Sequence, residues 1–206
     1  MIELNAPRFG NGIGLHRVEA ILVALEIDSA WLSKTAVSIA GSNGKGSTSV
    51  CCAEIAAAHG LKTGLFTSPH LLRVNERFQI NGVQVSDEEL EKSYLRVKYH
   101  VDEFLKRSPA EKFGAFEIMF LAAVELFYRK GCEICVYEAG IGGRYDPVRL
   151  ANAKVACVTS LDLEHTELLG NSLQEICLDK TDICAVGGKI FYGKNCSIFA
   201  ELVASY

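Results

Sequence analysis

Short apolar runs alternate along this chain with longer stretches of helical character. Strands are predicted at residues 36–40, 62–66, 134–137, 155–160 and 190–192. Helices are predicted at residues 48–59, 87–106, 116–128 and 172–184. Because strands that alternate with helices build βαβ units, the pattern predicts an α/β fold with a mainly parallel central sheet flanked by helices.

Local turn signals add one irregular feature to this α/β pattern. Asn81-Gly82 divides the alternating segment 74–85, which predicts a small hairpin insertion. Ser86 precedes three acidic residues and is placed as a helix N-cap, and Gly60 is placed to end the helix before it.

Composition and charge exclude several classes of function. The 206 residues carry 21 Lys and Arg against 25 Asp and Glu, a net charge of −4, which provides no basic surface for nucleic acid. The chain has no apolar run of the roughly 18 residues that a membrane helix needs, and Met1 is not followed by a signal-peptide pattern. We therefore expect a cytoplasmic protein that binds neither nucleic acid nor membranes. We also expect a monomer, although the sequence has no feature that bears on oligomeric state.

The eight cysteines do not form a recognisable metal motif. Cys132 and Cys135 make a lone C-x-x-C pair, whereas a zinc site would need two further ligands at compatible spacing. Most of the cysteines have apolar neighbours, so this pair is interpreted as the start of a buried strand.

A glycine-rich segment, Gly41–Thr48, joins the first predicted strand to a helix. Glycines allow backbone N–H groups to approach phosphate oxygens, and a helix N-terminus adds partial positive charge. Lys45 can reach the terminal phosphates of a nucleotide, and the Ser47 hydroxyl can hold Mg²⁺. The segment departs from the strict P-loop pattern, so a tight turn with a solvated lysine remains an alternative.

Six further segments resemble, in order, those of the folylpolyglutamate synthase and dihydrofolate synthase family of the Mur-ligase superfamily. The family's loop reads Gly-Thr-Asn-Gly-Lys-Gly-Ser, and here Ser42 replaces the threonine. The other matching segments are Leu65–Leu71, Glu76–Gly82, Phe116-Glu117, Glu138–Asp146, Leu161–His165 and Asp179-Lys180. The resemblance runs from about Gly10 to Tyr192.

The resemblance implies an ATP-dependent ligase. Such an enzyme forms an acyl phosphate on a folate or dihydropteroate carboxylate, and the amino group of L-glutamate then displaces phosphate. It implies ATP and Mg²⁺ as cofactors, with K⁺ or another monovalent cation as a further candidate. Family members are about twice as long as this chain. We therefore expect residues 1–206 to form the Mur-ligase-like ATP-binding domain, without the C-terminal domain that binds glutamate.

The resemblance also assigns roles to individual residues. The nucleotide would be held by Asn43, Gly44, Lys45, Gly46, Ser47 and Thr48. Magnesium ligands would be Ser47, Ser68, Glu138, His165 and Lys180, the last as a carbamate formed with CO₂. Catalytic roles fall to Lys45, Glu138, His165 and Lys180. The pterin-bearing acid would contact Ser68, Pro69, His70 and Arg77.

Each assignment has a simpler structural alternative. Glu138 could pair with Arg144 at the edge of the sheet, and His165 could be an ordinary surface histidine. Lys180 could lie on a solvated helix face, and Ser68 could serve only the turn before Pro69. The loop from Ser68 to Arg73 could be a mobile surface loop.

Three departures from the family pattern affect the site. Pro147-Val148-Arg149 follows Asp146 where the family has Ala-Thr-Asn, which removes a polar pair. Glu164 replaces the usual aspartate before His165, and 178–182 also differs from the family segment. Two other functions therefore stay open: a Mur-type ligase acting on a cell-wall precursor, and a nucleotide-binding module without catalysis.

Overall fold

The computed structural model describes residues 10–204 and 206, and its centre is a seven-stranded sheet. The strands are β1 (Ala36–Ala40), β2 (Thr63–Phe66), β3 (Phe78–Ile80), β4 (Val83–Gln84), β5 (Ile134–Glu138), β6 (Val155–Val158) and β7 (Lys189–Tyr192). Their order across the sheet is β4-β3-β2-β5-β1-β6-β7. The neighbours along β2-β5-β1-β6-β7 pair in parallel, whereas β3 pairs antiparallel with both β2 and β4. The predicted mainly parallel α/β sheet is therefore confirmed.

Helices cover both faces of this sheet. They are α1 (Leu15–Ala24), α2 (Ser29–Thr35), α3 (Lys45–Ala58), α4 (Asp87–Arg107), α5 (Ala115–Lys130), α6 (Thr166–Leu169), α7 (Leu173–Thr181) and α8 (Ala200–Ala204). On one face α1, α4 and α5 pack over the largest core cluster, and on the other α3 packs on Ile39, Leu65 and Val136. The central strands are apolar on both sides because both sides are covered. Among the described residues, no helix is both long and apolar enough to cross a membrane.

Several predicted boundaries were wrong. The segment 74–85 begins with a 3₁₀ helix, Val74–Arg77, before the hairpin, which turns through left-handed backbone at Asn81 and Gly82. Helix α3 begins at Lys45, three residues earlier than predicted. Helix α7 ends at Thr181 rather than 184, and β6 ends at Val158 rather than 160. Four helices, α1, α2, α6 and α8, were not predicted.

The two cysteines of the C-x-x-C pair lie where the sequence placed them. Cys135 is buried in β5, and Cys132 is buried just before that strand. Within the described part of the chain, no group of three or more His, Cys, Asp or Glu side chains could hold a metal ion.

A buried ion pair ties α1 to the start of α5. Arg17 is 1% exposed and donates through Nε and Nη2 to the two carboxylate oxygens of Glu117, at 3.1 and 2.8 Å. Glu117 also accepts from the Gly114 backbone N–H, which caps α5. Arg17 additionally donates to the Gly12 carbonyl and so fixes the segment before α1.

Arg17→Ala should lower the free energy of unfolding by about 3–5 kcal/mol, because it leaves the Glu117 carboxylate buried without its charged partner. Urea denaturation measures this change. The matched control is Arg73→Ala, which removes an arginine from the exposed pair with Asp87 and should cost less than about 1 kcal/mol. Equal losses for the two variants would contradict a special role for the buried pair.

Candidate active site

The glycine-rich loop lies at the carboxyl end of β1 and leads directly into α3. Gly44 has φ +83°, a left-handed conformation that suits glycine, and α3 begins at the next residue. The Lys45 ammonium folds back over the loop and donates to the carbonyls of Gly41 and Ser42, at 2.7 and 3.3 Å. Burial lowers the pKa of Lys45, and nearby Lys180 lowers it further.

The first turn of α3 offers backbone donors beside this lysine. The leading N–H groups of an α-helix have no acceptor within the helix, and the helix dipole makes that end favourable for anions. Ser47 lies in this turn with its side chain exposed, and Asn43 is exposed just before it. The turn therefore combines a cation, free N–H groups and a hydroxyl.

Glu138 ends β5 next to this turn. The residue is 3% exposed, and its Oε2 accepts a 2.9 Å hydrogen bond from the Ser68 backbone N–H. A Cβ built on Gly46 would lie 3.7 Å from both carboxylate oxygens, so the carboxylate lies against α3. Burial raises the pKa of Glu138, while the Ser68 N–H, Lys45 and Arg77 act in the opposite direction.

Glu138 does not pair with Arg144, so the simpler alternative for this carboxylate is wrong. Arg144 instead donates from Nε to Asp182 Oδ2 at 2.5 Å and from Nη2 to the Tyr206 hydroxyl at 2.8 Å. The Glu138 carboxylate is thus left facing the Ser68 backbone and the glycine-rich loop.

The loop between β2 and the 3₁₀ helix at 74–77 is held by hydrogen bonds of its own. The Glu76 carboxylate accepts from three consecutive backbone N–H groups, those of Leu71, Leu72 and Arg73, at 2.7–2.9 Å. These bonds lower the pKa of Glu76. The loop lies on the surface, as its simpler alternative requires, but these hydrogen bonds hold its backbone in one conformation.

The same loop joins the four residues that the sequence assigned to the pterin acid. Arg77 Nε donates to His70 Nδ1 at 2.8 Å, and burial lowers the pKa of Arg77. Pro69 is exposed and follows a cis peptide bond from Ser68. Leu71 follows His70 in the chain and is 90% exposed, so the loop presents an apolar side chain to solvent next to His70.

Lys180 lies in α7 but is not on a solvated face, so that alternative is wrong. The residue is 1% exposed, and its Nζ donates to Glu164 Oε1 at 2.9 Å. The Lys180 ammonium lowers the pKa of Glu164 against the raising effect of burial. His165 follows Glu164, lies exposed, and adopts a left-handed conformation (φ +45°) before α6.

Two buried carboxylates that the sequence analysis did not assign lie in the loop after β5 and in α7. Asp146 accepts from the backbone N–H groups of Gly140, Ile141 and Val148. Asp179 accepts from the Gly143 N–H at 2.8 Å. Their signal in the sequence was that Asp146 ends the segment 138–146 and that Asp179 precedes Lys180.

The residues that replace the family's Ala-Thr-Asn form part of a 3₁₀ helix, Pro147–Ala151. Pro147 and Val148 are buried, and exposed Arg149 donates to the Arg144 carbonyl. Apolar packing therefore takes the place of the polar pair.

The structure thus brings most of the predicted residues to one edge of the sheet, in three groups. Lys45, Gly46, Ser68 and Glu138 lie together, Lys180 joins Glu164, and His70 joins Arg77. Hydroxyl and carboxylate oxygens are the ligands that Mg²⁺ prefers, and Mg²⁺ usually takes only one or two of them from protein. The donor set at Ser47 and Glu138 fits that ion.

Asp146 gives the fold a specific pH dependence. Burial raises its pKa from 3.8 to about 7, despite the three N–H donors. At this carboxyl the folded state therefore binds more protons than the unfolded state between these values, and the contribution of Asp146 to stability falls as pH rises from about 4 to about 7. In Asp146→Asn this fall should be shallower, as measured by urea midpoints across that range; identical slopes for the two proteins would contradict the assignment.

Comparison with known proteins gives a consistent picture, although no protein-family model matches the chain. The chain is 32% identical over 171 residues to the dihydrofolate synthase/folylpolyglutamate synthase of Haemophilus influenzae, covering 83% of this chain and 37% of that protein. It resembles a solved FPGS complex with AMPPCP and folate with a TM-score of 0.88 and 27% identity, covering 98% of this chain and 48% of that one.

A second solved structure, E. coli FolC in complex with DHPP and ADP, matches with a TM-score of 0.76 and 30% identity over 88% of this chain and 41% of that chain. The chain spans 27% and 37% of the length of the first two curated relatives. On these similarities of sequence and of structure, the chain belongs to the folylpolyglutamate synthase and dihydrofolate synthase family.

Proposed function

We propose that this chain is the ATP-binding part of a ligase that joins a pterin-bearing acid to L-glutamate through an acyl phosphate. The observation that carries the proposal is the position of the Glu138 carboxylate against the first turn of α3, beside Lys45. A carboxylate facing a phosphate-type loop is what a magnesium–nucleotide site needs. The nucleotide-bound and folate-bound relatives support this proposal.

The first chemical step brings two anions together, the acid carboxylate and the terminal phosphate of ATP. The protein must neutralise phosphate charge and hold the reactants in line. Lys45 and the α3 N–H groups would do the first, with Asn43, Gly44, Gly46 and Thr48 completing the loop. When bound, Mg²⁺ would further neutralise the phosphate charge, and Ser47, Ser68 and Glu138 would hold it.

A second cation position would involve His165 and Lys180. Lys180 is the stronger candidate for a special role, because a lysine that is 1% exposed differs from an ordinary helix-face lysine. Carbamylation of Lys180 would need its Nζ to be neutral and to leave Glu164. We keep that modification, and a monovalent cation such as K⁺, as parts of the proposal.

The acid would lie near Ser68, Pro69, His70 and Arg77. The Arg77–His70 bond presents a cation and a ring at one place, and Leu71 adds exposed apolar surface. The names of the reported relatives favour a folate acid over a cell-wall precursor. We further propose that residues 1–206 act as one domain, in a protein that functions as a monomer.

Lys45→Ala should weaken the binding of MgATP by at least tenfold, because it removes the only loop lysine that can reach the phosphates. Isothermal calorimetry at millimolar MgATP measures this loss. The matched control is Lys34→Ala, an exposed lysine in α2, which should bind as the unaltered chain does. An unaltered, folded chain without measurable nucleotide binding would rule out the proposed function.

The choice of acid is tested by binding in the presence of MgADP. Dihydropteroate and tetrahydrofolate should bind to the chain, whereas a UDP-muramoyl peptide should not, because the loop 68–77 offers an apolar and cationic surface rather than a sugar site. Arg77→Ala should weaken the binding of the acid about tenfold and leave MgADP affinity within twofold. Preference for the UDP-muramoyl peptide would favour the cell-wall alternative instead.

A further inference from the structure

Hydrogen bonding between β1 and β6 continues beyond the ends of the two strands. The Thr159 N–H donates to the Ala40 carbonyl at 2.9 Å, and the Ser42 N–H donates to the Ser160 carbonyl at 2.9 Å. The loop after β6 therefore runs alongside the glycine-rich loop for two residues, although neither segment is a strand there.

At Asn43 the hydrogen bonds between the two loops are made by side-chain hydroxyls instead of backbone groups. The Asn43 N–H donates to Ser160 Oγ at 2.8 Å, and Ser160 Oγ donates to the Asn43 carbonyl at 3.0 Å. Thr159 Oγ1 donates to the same carbonyl at 2.7 Å. The hydroxyls of Thr159 and Ser160 thus form hydrogen bonds with both backbone polar groups of Asn43, its N–H and its carbonyl.

We propose that Ser160 is a positioning residue for the glycine-rich loop, and that it sets the nucleotide affinity of this chain through Asn43. The inference rests on the proposed nucleotide site and adds a residue that touches neither phosphate nor metal. Ser160 is suited to the role because one hydroxyl can accept a hydrogen bond and donate another at the same time.

The position of Asn43 makes this contact consequential. Asn43 immediately precedes Gly44, whose left-handed conformation starts α3. The direction of the N–H groups in the first turn of α3 therefore depends on how Asn43 is held. A phosphate site works only when these donors are fixed in advance, since donors that must reorganise on binding lose affinity.

The absence of a side chain at Gly41 leaves room for the Thr159 hydroxyl next to the glycine-rich loop. A Cβ on Gly41 would lie 2.0 Å from Thr159 Oγ1, and Gly41 has φ +141°. Only glycine at this position lets the β6 loop approach so closely.

The same loop also reaches the residues proposed for the second cation. The Asp162 N–H donates to Ser42 Oγ at 2.9 Å, and Glu164 binds buried Lys180 two residues later. The segment 159–164 thus joins the glycine-rich loop to Lys180 through a continuous set of hydrogen bonds.

The test compares Ser160→Ala, Ser160→Thr and Thr159→Val by calorimetric titration with MgATP. Ser160→Ala should weaken binding about tenfold, because it removes the hydroxyl that holds both the N–H and the carbonyl of Asn43 in place before the nucleotide binds. Ser160→Thr keeps the hydroxyl and should restore affinity to within about twofold. Thr159→Val should cost less than Ser160→Ala, since Ser160 still bonds the Asn43 carbonyl. The matched control is Ser33→Ala, which removes a hydroxyl bonded to the Asn152 carbonyl and should not change affinity.

Melting temperatures without nucleotide show that each variant is folded, and they should stay within a few degrees of the unaltered chain. Equal affinity in Ser160→Ala and the unaltered chain would overturn this inference alone. Failure of Ser160→Thr to restore affinity would also overturn it, because the hydroxyl would then not be the cause. An unaltered chain that binds no MgATP would overturn the proposed function and this inference together.

Discussion

Parallel pairing of β1 with both β5 and β6 is the constraint on which the candidate site depends. Parallel strands end at the same edge of the sheet, so the strand order alone brings the loops after β1, β2, β5 and β6 together there. Glu138 reaches α3 because β5 lies beside β1, and Ser160 reaches Asn43 because β6 lies on the other side. Any change of strand order would separate these groups.

The edge formed in this way contains charges that an ordinary core would exclude. Glu138, Asp146 and Lys180 are each almost fully buried, and each is compensated by specific partners. Backbone N–H groups hold Glu138 and Asp146, and the Glu164 carboxylate holds Lys180. Burying charge costs free energy even when it is paired, so such groups are usually concentrated where chemistry needs them. The raised pKa values of Glu138 and Asp146 follow from the same burial.

Much of the fold was predictable because its signals are local. Apolar runs marked the five parallel strands, Asn81-Gly82 marked the hairpin, and Ser86 marked the start of α4, where its Oγ accepts from the Glu89 N–H as predicted. Helices α1 and α2 were missed, although the Asp28 side chain caps α2. Helix α1 is held by packing on the core and by Arg17, whose partner Glu117 is 100 residues away.

The residues of the candidate site were proposed from motifs, but their arrangement was not predictable. Motifs identified Lys45, Glu138 and Lys180, whereas nothing in the sequence indicated that Arg144 would bind Asp182 and leave Glu138 facing the loop. The burial of Lys180 and the bonds from Ser160 to Asn43 likewise depend on residues more than ten positions apart in the chain. Such contacts arise from sheet order, which short patterns do not specify.

The most direct test of this account is a crystal structure of the chain with Mg²⁺ and a non-hydrolysable ATP analogue. The account predicts phosphate density at the first turn of α3, with Lys45 turned from the loop carbonyls toward the terminal phosphate. It also predicts Mg²⁺ about 2.1 Å from the Ser47 hydroxyl oxygen, with Glu138 as a direct or water-mediated partner. Phosphates bound elsewhere, or Mg²⁺ remote from both Ser47 and Glu138, would contradict it.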